Sequence, residues 1–184
     1  MRAPSGQMAA PQPQTLLEDG GLAGEWVLDP RKSSIRLKNK SMLGLAAVHG
    51  VFRELRGHGA VSPDGQVSGT VSVAAASIDT KNARRDTHLR SADFFDSSRY
   101  PDITFTADDI RVSGHGVKVT GALTVRDCTQ PLSFDAAASF QGDDEIWLDA
   151  EVHVNRAGFG LTWNLMGLAS MDNTLTIHAV FIQR

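Results

Sequence analysis

Residues 117–125 read Val-Lys-Val-Thr-Gly-Ala-Leu-Thr-Val. Val117, Val119, Gly121, Leu123 and Val125 fall on one side of an extended chain. Lys118, Thr120, Ala122 and Thr124 fall on the other. A period of two is that of a β-strand with one apolar and one polar face. The pattern recurs in both directions. Ile35 and Leu37 alternate with Arg36 and Lys38. Val67, Gly69, Val71 and Val73 alternate with Ser68, Thr70 and Ser72, and Ile103 and Phe105 with Thr104 and Thr106. Leu132 and Phe134 repeat it, as do Ile146, Leu148, Ala150, Val152 and Val154, and then Leu175, Ile177, Ala179 and Phe181. Turn chemistry separates these runs at Ser62-Pro63-Asp64-Gly65, Ser113-Gly114-His115-Gly116 and Gly142-Asp143-Asp144. Short connections between alternating strands give an antiparallel meander. About eight strands emerge, and that number most simply closes into a barrel, which leaves no exposed edge. The expected class is all-β: an eight-stranded antiparallel barrel with one or two short helices.

One segment breaks the period. Leu89, Ala92 and Phe95 within residues 82–95 stand at helical spacing, with Arg85 on the same side. The spacing predicts a helix there, and a weaker one over Leu43–Val48. Residues 1–23 hold three of the seven prolines, and Leu16 and Leu17 are the residues that could anchor them. Such a stretch buries too little apolar surface to offset its ordering entropy, so it reads as a disordered tail. Residues 24–184 then form one domain. A chain of 184 residues can bury roughly 70% of its unfolded surface and needs no staple to fold.

Composition narrows the function. Eighteen basic and 21 acidic side chains give a net charge of −3, which argues against a duplex-DNA coat or a polybasic membrane anchor. One cysteine, Cys128, excludes an intrachain disulfide and a thiolate zinc cage. No apolar run approaches the roughly 18 residues of a membrane-spanning helix. With no hydrophobic stretch behind Arg2, a cytoplasmic protein is the expectation. The six histidines make no pair with metal-ligand spacing. His58 and His115 sit beside glycines and read as solvated turn residues. Cys128 falls in an expected turn, Asp127 to Pro131, as an inert thiol. Asp108–Asp109 and Asp143-Asp144-Glu145 read as loop carboxylates. Lys81, Arg84, Arg85 and Arg90 form either a solvated helix face or a cationic collar beside a cavity mouth. An eight-stranded barrel is either filled by its own side chains or holds one small ligand, and composition leaves both open.

The chain resembles the YceI-like family of lipid-binding, or polyisoprenoid-binding, proteins. The resemblance rests on Trp26-Val27-Leu28-Asp29-Pro30 with Ser33-Ser34, on Gly50-Val51-Phe52, and on Ser77-Ile78-Asp79-Thr80. It continues through residues 85–95 (RDTHLRSADFF), Tyr100 to Phe105, Gly121-Ala122-Leu123-Thr124 and Phe159-Gly160-Leu161. Two positions depart from the family pattern. Asp127 stands where a glycine is common, and Asn155 where an acidic residue often precedes the arginine. The resemblance implies a lipocalin-like barrel around the long apolar tail of an isoprenoid quinone, polyprenyl or fatty amphiphile, and it implies no cofactor. The expectation of no metal and no nucleic acid comes from the histidine spacing and the net charge.

On that reading the tail-lining candidates are Ile35, Leu37, Val71, Val73, Ile78, Ile103, Phe105, Leu123, Val125, Phe134, Phe159, Leu161 and Trp163. Asn82, Arg85, His88 and Asn164 are the polar candidates at the mouth. The leading function is non-enzymatic storage or transport of the amphiphile. The alternative is a barrel enzyme that cyclises or isomerises a bound chain, which needs a buried titratable group, with His88, Asp79 or Asp86 as candidates. An empty barrel serving as an interaction module is a third class. Monomer and homodimer are both compatible with the sequence.

Overall fold

The computed structural model describes residues 20–41, 46–113, 116–142, 144–164 and 169–184. Among them are eleven strands: β1 (Gly24–Leu28), β2 (Ser34–Ser41), β3 (Ala46–Phe52), β4 (Leu55–Val61), β5 (Val67–Ala74), β6 (Ile78–Asp79), β7 (Asp102–Ser113), β8 (Gly116–Val125), β9 (Cys128–Gln141), β10 (Glu145–Asn155) and β11 (Ala169–Gln183). Eight of them, in the order β1-β4-β5-β7-β8-β9-β10-β11, close into a ring through the β1–β11 pairing. The expected antiparallel barrel is therefore the observed one.

The strands beyond eight arise at a seam. One edge of β11 pairs with β10 from Asp172 to Ile182. The other edge is divided: residues Ala169 to His178 take β2, and Phe181 to Gln183 take β1. β1 and β2 thus lie end to end along β11, and β3 and β4 lie end to end beside them. The far edge of β3 meets β6 at Val51↔Asp79 and Phe52↔Ile78.

The chain between β6 and β7 packs inward there. Its helix, α1, spans Ala83–Arg90. Asn82 caps it by accepting from Arg85 N at 3.0 Å, as a short polar residue before a helix does. Asp86 is buried and accepts from Thr80 N at 3.0 Å and Thr80 Oγ1 at 2.5 Å, which ties α1 to the end of β6. The helix stops at Ser91, whose hydroxyl donates to His88 O. It is shorter than the apolar spacing suggests, because this local capping ends it before Ala92. Ala92 is exposed, whereas Leu89, Phe94 and Phe95 pack against the core.

Several local readings need correction. Ala46–Val48 is part of β3, not helix, and residues 43–45 lie outside the described residues. Cys128 opens β9 because the turn is only Arg126-Asp127, with Arg126 at φ +58°. His58 sits within β4, an exposed strand residue between glycines, while His115 lies outside the described residues. Asp108 and Asp109 belong to β7, where a bulge between Ala107 and Asp109 interrupts pairing with β8. The extra residue shifts the alternation, so Ala107 and Ile110 both face inward. Glu145 opens β10, bonded to Lys32 and Trp147 Nε1.

Composition places residues 1–23 in the tail. Leu22 is nonetheless buried with Trp26 and Val61, and its carbonyl accepts from Trp26 Nε1 at 2.9 Å. Leu22→Ala should destabilise the fold by about 2 kcal/mol, at the low end for a buried leucine because the site lies at the barrel's end. Urea unfolding monitored by tryptophan fluorescence measures this.

Candidate functional site

Buried apolar residues fall into three groups. One is around Leu28, Phe52, Ile78 and Phe159, one around Ala107, Val117 and Val119, and one around Leu22, Trp26 and Val61. A cavity of about 400 Å³ runs along the inner faces of the strands, within the roughly 300–1,000 Å³ typical of ligand pockets. This settles the choice between packed and hollow barrel. It also explains why Ile35, Leu37, Ile103, Phe105, Phe134, Leu175 and Ile177 point inward yet are only half-buried.

Fourteen of the seventeen positions singled out from the sequence line this cavity. They are Ile35, Leu37, Val71, Val73, Arg85, His88, Ile103, Phe105, Leu123, Val125, Phe134, Phe159, Leu161 and Trp163. Three are elsewhere. Ile78 is fully buried in the core, Asn82 is an exposed helix cap, and Asn164 holds Ala169 through both its main-chain groups. Small residues at inner positions have a different cause from the void. A Cβ on Gly69 would come within 2.9 Å of His58 O, so that glycine permits close approach of β4 and β5. Trp163 is 43% exposed, the exposed large apolar side chain among the described residues, and marks the rim.

The described wall contains no aspartate or glutamate, and three of its polar residues, Asn39, Asn173 and Arg156, belong to one hydrogen-bonded group. Asn39 Nδ2 donates to Asn173 Oδ1 at 2.8 Å and to Ser170 O at 2.8 Å. Arg156 Nε donates to the same Ser170 O at 3.1 Å. Arg156 opens a 3₁₀ turn, Arg156–Phe159, which Asn155 caps by accepting from Ala157 N. It is 5% exposed. Its Nη1 donates to Leu161 O and, at 2.9 Å, to Trp163 O. Burial pushes its pKa below the usual guanidinium value. Arg156, Asn39 and Asn173 were missed from the sequence. Each is one alternation step past a run already read as inward: Val154 to Arg156, Leu37 to Asn39, Leu175 to Asn173. Extending the period of two through polar residues would have found them.

The remaining polar candidates have distinct roles. Arg85 spends Nε on Thr80 Oγ1 at 2.8 Å and Nη2 on Thr80 O at 2.9 Å. His88 has its ring 4.0 Å from that of Trp163, and its buried Nε2 has no partner. Asp79 bonds Arg53 and Lys81, which hold its carboxyl well below the usual carboxylate range. Arg84 is exposed, and Arg90 donates to Ile78 O. Because Arg85 braces Thr80, Arg85→Ala should weaken polar-headed and plain hydrocarbon ligands together, by about 1 kcal/mol each. Parallel titrations with an alcohol and the matching alkane check this.

The described residues contain no group of three His, Cys, Asp or Glu side chains close enough to share a metal ion, and no helix long and apolar enough to cross a membrane. A closed antiparallel barrel around an apolar cavity open at a rim is a lipocalin-like arrangement. The chain belongs to the YceI-like domain family, which matches residues 26–181. It is 32% identical over 150 residues to Protein YceI of Escherichia coli, covering 77% of this chain and 78% of that one. Among solved structures it is similar to Burkholderia cenocepacia BcnA, with a TM-score of 0.75 and 20% identity over 83% of this chain and 98% of that one. A polyisoprenoid-binding domain from Saccharophagus degradans gives a TM-score of 0.68 at 14% identity, covering 86% and 98%.

Proposed function

We propose that the barrel binds one long-chain amphiphile of the isoprenoid kind and stores or carries it, without acting on it chemically. The observation that carries this reading is the cavity of about 400 Å³ inside the barrel, with an almost wholly apolar wall. Family membership and the likeness to the polyisoprenoid-binding domain of Saccharophagus degradans support it. Burying one CH₂ contributes about 0.8 kcal/mol, so a five-carbon isoprene unit contributes roughly 4 kcal/mol before ordering costs. A neutral head-group hydrogen bond adds only about 1 kcal/mol net. Tail length and girth therefore set affinity.

Organic extraction of gently purified protein followed by mass spectrometry tests the reading. One long-chain lipid per protein is expected. Protein that carries no lipid, and that binds neither geranylgeraniol nor a fatty alcohol once delipidated, would overturn it.

A further inference from the structure

We propose that the rim of the cavity is a docking surface for an anionic lipid bilayer, with Trp163 at the interface and Lys38, Lys40 and Arg84 against the lipid head groups. The inference rests on the reading of the cavity as a lipid site, since docking brings the mouth to the source of its ligand.

Strand pairing gathers these residues at one end of the barrel. Ser41, the last residue of β2, pairs with Ala169, the first of β11. Asn164 donates to Ala169 O at 2.8 Å and accepts from Ala169 N at 3.0 Å, which fixes the neighbouring Trp163 beside that strand end. Asn39 lines the cavity. The pleat therefore turns its neighbours Lys38 and Lys40 to the outer face, where both are exposed. The His88 ring, 4.0 Å from that of Trp163, brings α1 to the same end. Arg84 is exposed one turn before His88.

Two properties of this end point to a bilayer. Trp163 lines the cavity yet is 43% exposed, and an indole placed half in water has its preferred site at a membrane interface. Charge is also sorted toward the rim, although the chain is net −3 overall. The acids on β2, β3, β6, α1 and β11 are Asp79, Asp86 and Asp172. Each is bonded within the chain: Asp79 to Arg53 and Lys81, Asp86 to Thr80, and Asp172 to Asn155. Lys38, Lys40 and Arg84 belong to none of the ion pairs among the described residues. A cationic end on a net acidic molecule orients it mouth first on a negative surface. A few cations and one indole give reversible docking, which lets a carrier leave again.

The test uses the full chain and dense-loaded vesicles recovered by centrifugation, of phosphatidylcholine alone or with roughly one-third phosphatidylglycerol. The anionic vesicles should bind the protein about tenfold more tightly than the neutral ones, and about 0.5 M salt should remove the preference. Lys38→Gln, Lys40→Gln and Arg84→Gln together should lower binding to anionic vesicles about tenfold. Trp163→Ala should lower it about threefold. As a control, Arg56→Gln, Arg111→Gln and Lys118→Gln remove the same charge from exposed positions on β4, β7 and β8 and should leave it within about twofold. Equal binding to both vesicles, a preference that survives salt, equal losses in the two triple variants, or full binding by Trp163→Ala overturns the proposal. Self-association without vesicles that the rim substitutions abolish would assign this face to a second copy and overturn it as well. Displacement of an apolar dye by geranylgeraniol is read in parallel. The three rim cations lie outside the cavity wall, so their variant should keep this binding within about twofold. Failure of the natural protein to bind geranylgeraniol overturns the lipid reading, whereas loss of the vesicle preference alone overturns only the docking.

Discussion

Phe105→Asp should abolish binding of an apolar chain, lowering affinity by more than about a hundredfold, while Thr106→Asp should be nearly silent. The two positions are adjacent on β7 and face opposite ways. Phe105 lines the cavity, its ring 5.5 Å from that of Phe134. Thr106 is exposed on the outer face. An unpaired carboxylate on an apolar wall costs several kcal/mol or must take up a proton, and either outcome removes tail contact where it matters. Outside, the same charge stays hydrated, and surface changes of that kind stay within roughly 0.5 kcal/mol. Dye displacement by geranylgeraniol, with circular dichroism to confirm folding, measures both. Comparable losses in the two variants would refute the assigned faces.

Gly121→Val should destabilise the barrel by about 4 kcal/mol, above the usual overpacking range of roughly 1–3 kcal/mol. A Cβ at position 121 would overlap the carbonyl oxygen of Thr106 and come within 2.9 Å of Ala107 Cα and of Phe105 Cζ. The obstacle is mainly backbone, and it sits beside the β7 bulge where pairing is already interrupted. Adding Phe105→Leu should therefore fail to restore stability, since it removes the ring and leaves the carbonyl in place. Thermal unfolding of the single and double variants decides. A full rescue would mean that the ring, not the strand, requires glycine.

Much of the barrel could be read from alternation alone, because side-chain parity follows directly from the pleat. Val117 to Val125 and Ile146 to Val154 kept their parity throughout. What alternation could not show was where strands divide. Asp29-Pro30 does mark a turn between β1 and β2, but nothing in that interval shows that both strands return to the same edge of β11. The bulge at Asp108 was equally silent: two acidic residues look like a loop, and only pairing with β8 shows one of them inserted into a strand. The apolar wall was legible for the same reason as the strands. Its polar end was not, because Arg156, Asn39 and Asn173 were taken as the points where inward runs stop. Their inward position is set by the backbone, which continues its pleat regardless of side-chain polarity. Arg85 was visible by charge, but its engagement with Thr80 depends on how Lys81, at φ +62°, turns the chain into the helix.

The shared edge of β11 has a consequence for how the protein comes into being. β1 and β2 near the start of the chain both wait for one strand near its end, across more than a hundred intervening residues. Contacts of that separation form late, because loop closure must be met before they return anything. During synthesis the ring therefore stays open until β11 emerges, and the inner faces of seven strands remain in contact with water or with whatever apolar molecule is nearby. A nascent chain in that state presents bare edges along β2 and β10, the kind that recruit other strands. Slow emergence of the last strand would favour aggregation, and an amphiphile present at that moment could be enclosed as the barrel shuts instead of threading in afterwards.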